Sequence, residues 1–207
     1  MTAVGYLLNK KEGLVGEPGQ YYDYLVGSNG VFIRAENPLI SATIPVAKGK
    51  IRGLEPLAAK VELLNGKIPL YLYHAALSIP QAMPEQECCL LITCAHYGEY
   101  YIMLPPQIAT AGGVTYVPAP STVVSIHSHG RMGAFFSATD DKDEQGLCIY
   151  MVVGKADQLI PEVKIRIGAY GNFHFLDESV VFGGIDLTRI DFLACLMESI
   201  ADVSDRV

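Results

Sequence analysis

From its amino end the chain alternates short apolar runs with glycine, proline and asparagine, the pattern of strands joined by tight turns. Tyr21–Gly27 and Val31–Ala35 flank Ser28-Asn29-Gly30, and Asn-Gly between two apolar runs predicts a hairpin. Ile40–Val46 reads as a further strand, with Pro45 restricting it to an edge or an end. Tyr21, Tyr22 and Tyr24 suit half-buried sheet positions. Leu54–Leu64 is expected to be a short helix ended by Asn65-Gly66, and Leu70, Tyr73, His74 and Leu77 recur at helical spacing ahead of Pro80 and Pro84. His74 on that face is read as a packed or capping histidine.

The middle of the chain is richer in strand signals. Cys88–Thr93 is an apolar run entered from the acidic Pro84-Glu85-Gln86-Glu87, and Glu99–Leu104 reads as its partner. Val114–Val117 is expected to be another short strand. Thr122–Ile126 is β-branched and alternating, and Leu147–Val153 is continuously apolar, as in a buried central strand. Val163, Ile165 and Ile167 alternate with Lys164 and Arg166, which predicts one wet face. Gly171-Asn172 turns the chain back into Phe173–Leu176, where His174 is read as facing solvent. Asp186 caps a last predicted helix bearing Leu187, Ile190, Leu193, Ala194, Met197 and Ile200. The expected organisation is a β-rich section over 1–65, a main domain over 66–180 and a C-terminal helix over 181–207 that packs on it. The element order of the main domain predicts an α/β fold, a mixed sheet covered by helices.

Composition narrows the class. Half of the 207 residues are hydrophobic and 18% are charged, which suits a globular chain. No apolar run is long enough to span a bilayer, and the first dozen residues lack the profile of a signal peptide. A net charge of −7 argues against nucleic acid as the main partner. Five cysteines (Cys88, Cys89, Cys94, Cys148, Cys195), mostly in apolar runs, suggest free buried thiols and a cytoplasmic location. They lack the paired spacing of a zinc ribbon.

The candidate chemistry lies in Thr122–Gly146. Residues two apart on a strand share a face, so His127 and His129 project together. Ser137, with Asp140 three residues later, is a helix-start pattern that returns a hydroxyl and a carboxylate toward them. Two imidazoles and one carboxylate with an open fourth position form the donor set of a catalytic zinc, although another divalent ion would also be served. Such a metal lowers the pKa of water from about 16 to about 7. Ser137 is placed to donate to a developing oxyanion.

His127-Ser128-His129, seven residues, Ser137, two residues and Asp140 resemble the full signature of the JAMM, or MPN-plus, metalloenzymes (the JAB1/MPN/Mov34 family). The surrounding H-S-H-G-R-M-G-A-F-F-S-A-T-D-D-K-D-E-Q-G is similar to the bacterial branch called PRTRC system protein A. The resemblance implies an MPN/JAB-type mixed sheet flanked by helices over about 66–180, and zinc (Zn2+) held by His127, His129 and Asp140. It also implies an upstream glutamate as catalytic base, for which Glu87 matches and Glu85 is the other candidate. The implied reaction is hydrolysis of a peptide or isopeptide bond after the C-terminal glycine of a ubiquitin-like or sulfur-carrier-like protein, with an E1-like partner in the background. Metal-free relatives serve as protein-binding scaffolds, but these normally lack one or more of the residues present here. A DNA-processing role like that of RadC relatives is disfavoured by the acidic balance.

Overall fold

The computed structural model describes residues 2–110, 113–117 and 119–183. The first third forms six strands: β1 (Val4–Lys10), β2 (Gly13–Glu17), β3 (Tyr22–Gly27), β4 (Gly30–Glu36), β5 (Ile40–Lys48) and β6 (Lys60–Leu63). They make one mixed sheet in the order β2-β1-β3-β4-β5-β6, in which β1 and β3 run parallel and the other pairs antiparallel. The expected hairpin is present, with Gly27 paired to Gly30 across a two-residue turn. Pro45 lies beyond Thr43, the last β5 residue that β6 pairs, and beside a bulge at Val46 of β5, so its missing N–H costs the ladder little.

One expectation fails here, and one strand pair was not foreseen. Leu54–Leu64 is not a helix: the backbone is irregular to Ala59, and Lys60–Leu63 then pairs with β5. Pro56 is unfavourable to a helix, and Lys-Val-Glu-Leu has the two-residue period of a strand that turns Val61 and Leu63 to the core. The N-terminal pair β1–β2 has no counterpart in the pattern reading, because β2 is an edge strand exposed along its whole length and carries no alternation of burial.

The chain continues through α1 (Leu70–Ala82), β7 (Cys89–Cys94), β8 (Tyr100–Met103), β9 (Gln107–Thr110), β10 (Gly113–Tyr116), β11 (Thr122–Ser128), α2 (Ala138–Asp143), β12 (Cys148–Gly154), β13 (Glu162–Ala169), β14 (Asn172–Leu176) and α3 (Glu178–Val181). A second mixed sheet has the order β14-β13-β12-β11-β7-β8, and β9 pairs with β10 separately. In the second sheet only β11 and β12 are parallel. In α1 the buried residues are Leu72, Ala76 and Pro80, at four-residue spacing; of the predicted stripe, Tyr73 and Leu77 pack partly buried against the same core, while Leu70 and His74 are exposed. The predicted C-terminal helix and its Asp186 cap lie almost wholly outside the described residues; α3 is a single turn capped by Asp177.

Mixed sheets with few helices therefore describe the architecture, and a second sheet does much of the covering expected of helices. Ile33, Ala35, Ile40, Ala42 and Ile44 of the first sheet share one buried cluster with Leu90, Ile92, Val124, Ile126, Ile149, Met151, Ile165 and Ile167 of the second. Tyr22 also stacks on Tyr170, with ring centroids 4.5 Å apart. By register, Val124 and Ile126 share a face with Leu90, Ile92, Ile149 and Met151, so this face of β11 is committed to the core. Ser125 and His127 point the other way, and that opposite face carries the chemistry. Cys88, Cys89, Cys94 and Cys148 are free thiols, and burial pushes those of Cys89 and Cys148 up to about 12.

Candidate metal centre

The parallel pair β11–β12 sets the location. Parallel neighbours need a crossover rather than a hairpin, and the crossover here is residues 129–147, which hold His129, Ser137 and α2. The segment leaves from the carboxyl end of β11. Gly130 has φ +54°, and a Cβ there would meet the Pro84 carbonyl oxygen at 2.5 Å. Only glycine fits this sharp, crowded turn.

The same end of the sheet receives β7 from the opposite direction. His127 pairs with Cys89, and the link continues as the Ser128 amide donates to the Cys88 carbonyl at 2.9 Å. Extending that register places Glu87 opposite His129 and Glu85 opposite Arg131. The side chains follow. Glu87 is 9% exposed and lines a cleft of about 300 Å³ with His127, His129, Ser137 and Asp140. Glu85 is exposed and paired with Arg131 outside that cleft. Burial raises the Glu87 carboxyl, His129 opposes the shift, and Asp140 adds to it.

The three donor-type side chains converge. His127 Nε2 lies 3.2 Å from His129 Nε2 and 3.5 Å from Asp140 Oδ1, and one ligand atom from each of the three lies within 4.8 Å of the others. Donors bound to zinc at about 2.0–2.1 Å in a tetrahedron are roughly 3.3–3.4 Å apart, so the two measured edges fit such an ion. His129 Nδ1 is 3.3 Å from the Gly133 carbonyl oxygen. A carbonyl can only accept, so Nδ1 carries the proton and Nε2 keeps its lone pair for a metal. Burial pushes His127 down to about 4, which leaves it neutral and able to ligate. Burial works against the Asp140 carboxylate, yet the hydrogen bonds it accepts from Ser137, with electrostatic attraction to the two imidazoles, outweigh it and hold Asp140 below its ordinary range.

Ser137 and Asp140 form a reciprocal cap. The Ser137 hydroxyl accepts from the Thr139 and Asp140 amides at 3.2 Å each, and the Ser137 amide donates to Asp140 Oδ2 at 2.5 Å. The helix it starts is short, and none of its side chains is fully buried. His74 is exposed on α1, and His174 on β14 pairs with Ile167, so neither joins the cluster.

Three features escaped the pattern reading. Tyr116 and Ser125, joined at 2.9 Å, line the cleft; Ser125 could have been found by counting two residues back from His127. Phe135 packs against His129, with ring centroids 4.4 Å apart. Arg166, predicted to be wet, is 4% exposed. It is bonded to Glu144 and Asp141 and lies between the rings of Phe136 and Phe173.

Residues 72–166 match the sequence profile of the family described as prokaryotic homologs of the JAB domain. That span runs from α1 into β13 and contains every residue of the cluster. The chain is also similar to the solution structure of protein DSY2949 from Desulfitobacterium hafniense, with 14% identity and a TM-score of 0.37. That similarity covers 57% of this chain and 94% of the other. No curated protein matches the sequence. No helix among the described residues is long and apolar enough to cross a membrane.

Proposed function

We propose that this chain is a zinc-dependent JAMM-type metallopeptidase on an MPN/JAB-type fold. Its proposed reaction is hydrolysis of a peptide or isopeptide bond after the C-terminal glycine of a ubiquitin-like or sulfur-carrier-like protein. The observation that carries this reading is the convergence of His127, His129 and Asp140 at metal-ligand separations, with Glu87 and Ser137 in the same cleft. The match of residues 72–166 to JAB-domain homologs supports it. The finer likeness to PRTRC system protein A rests on the residues around His127 and goes with the proposal.

In this reading His127, His129 and Asp140 hold the ion. When bound there, zinc supplies a Lewis acid that polarises a carbonyl and makes water more acidic. Glu87 takes the proton from the attacking water and passes it to the leaving amine, and its raised carboxyl suits a group that must both accept and release. Ser137 donates to the carbonyl oxygen as negative charge develops there.

The test is elemental mass spectrometry of purified wild type and His129→Ala, followed by hydrolysis assays on ubiquitin-like fusions cleavable after Gly-Gly. About one zinc per chain, lost in the variant, together with Glu87-dependent cleavage, supports the reading. A folded wild type that takes up no zinc when it is supplied sinks it and leaves a protein-binding scaffold.

A further inference from the structure

The short helix that carries Asp140 raises a physical question. Six residues with no fully buried side chain have little to hold them on a sheet, since a short helix depends on tertiary contacts. Besides the 3.5 Å approach of Asp140 to His127 on β11, polar contacts come from one residue on β13. Arg166 Nε and Nη2 donate to Glu144 Oε2 at 2.9 and 2.6 Å, and Nη1 donates to Asp141 Oδ1 at 2.6 Å. Its guanidinium lies 3.8 Å from the ring centroids of both Phe136 and Phe173. Phe136 precedes Ser137, Asp141 follows Asp140, and Glu144 closes the helix, so these contacts bracket the two site residues on both sides. None of those three hydrogen bonds goes to His127, His129 or Asp140.

We propose that Arg166 is a positioning residue that pins the crossover and thereby sets Ser137 and Asp140 in the cleft. This rests on reading His127, His129 and Asp140 as metal ligands. The demand is specific to arginine. A forked planar cation can bond two carboxylates in different directions while presenting flat faces to two rings. A lysine supplies a single point charge and no plane.

The experiment uses full-length wild type, Arg166→Met, Arg166→Lys and Asp141→Asn, each stripped with a chelator. Two quantities are read: zinc affinity by competition with a chromophoric chelator, and the backbone {1H}–15N nuclear Overhauser effect of the metal-free proteins. Asp141 is half exposed, so Asp141→Asn takes the charge from one contact, leaving a neutral acceptor, at small risk to folding and stands in if Arg166→Met does not fold. The expected result for Arg166→Met is a loss of about 10–100-fold in zinc affinity, the usual scale for a residue that orients a ligand. Arg166→Lys should give no rescue, and Asp141→Asn a smaller loss. Reduced Overhauser effects should be confined to residues 137–144, with 122–128 unchanged. A stable Arg166→Met with wild-type affinity and a rigid 137–144 segment overturns the proposal, as does full rescue by lysine. If wild type itself binds no zinc, the metal reading falls. The relaxation data then still decide whether Arg166 pins the segment.

Discussion

Ser137 has two physical tasks, and a pair of substitutions separates them. Its hydroxyl oxygen accepts two amides of the first turn of α2, at 3.2 Å each. Its proton remains to donate, toward Asp140 at rest and, in the proposed reaction, toward the substrate carbonyl. Replacing a serine cap by alanine costs typically about 1 kcal/mol, whereas glycine costs only a few tenths. If that loss falls on the same turn that holds Asp140, Ser137→Ala weakens zinc binding about fivefold, since about 1.4 kcal/mol is tenfold. Ser137→Gly should weaken it less than about twofold. Both variants lose the oxyanion donor, so at saturating zinc both should be slowed by ~10²–10³. The assay is single-turnover cleavage of a ubiquitin-like fusion with zinc in excess, beside chelator competition for affinity. Wild-type turnover in either zinc-loaded variant refutes the donor role. Equal zinc affinity in Ser137→Ala and Ser137→Gly refutes the claim that the cap sets Asp140.

The remaining expectations follow from the same geometry. Glu87→Gln should keep its zinc and lose cleavage, whereas Glu85→Gln removes only an exposed pair with Arg131 and should stay within about twofold of wild type in rate; the reverse pattern would exchange their assignments. Gly154→Ala should destabilise by about 1–3 kcal/mol in denaturant titration, because a Cβ there meets Ala134 N at 2.2 Å and the Gly133 carbonyl carbon at 2.4 Å. A variant as stable as wild type would contradict that contact. In metal-free protein the His127 imidazole is held neutral to about 4 against an ordinary 6.5. The unfolded chain therefore takes up a proton that the native state resists, and stability that is whole above about pH 6.5 declines toward pH 4. His127→Gln should flatten that limb of the melting curve, and an unchanged slope would refute the burial argument.

The convergence of His127, His129 and Asp140 was legible because strand periodicity and a helix-start pattern are both local. His127 and His129 need only a strand and its end, and Ser137 with Asp140 needs only a cap. The place of Glu87 was legible in part: its acidic-to-apolar junction was visible, but which of Glu85 and Glu87 lines the cleft depends on the β7–β11 register. Arg166 was misread because alternation reports which face a residue occupies and not what lies over that face. Phe136, Phe173, Asp141 and Glu144 arrive from other segments to enclose it. The false helix at Leu54–Leu64 has a related cause. Its apolar residues fit either period until the pairing of Lys60–Leu63 with β5 decides. The exposed β2 left nothing for a burial pattern to detect.

β11 divides the work of the molecule between its faces. Val124 and Ile126 are fully buried between sheets, while Ser125 and His127 belong to a cleft open to a ligand. The cleft side is held by the Ser137–Asp140 cap, the Glu144–Arg166–Asp141 links and the His129–Gly133 contact, all of them polar. The core side is held by area removed from water. Substitutions on the two faces should therefore act on different quantities. Truncating Ile126 lowers global stability and leaves the crossover contacts intact, whereas changing a crossover contact alters metal affinity with a small change in global stability. Separate networks give nearly additive effects, and members of one network do not. In a double-mutant cycle Ile126→Val with Asp141→Asn should be additive in zinc affinity, and Ser137→Ala with Asp141→Asn should not. Additivity in the second pair would mean that the cap and the arginine pin hold Asp140 independently.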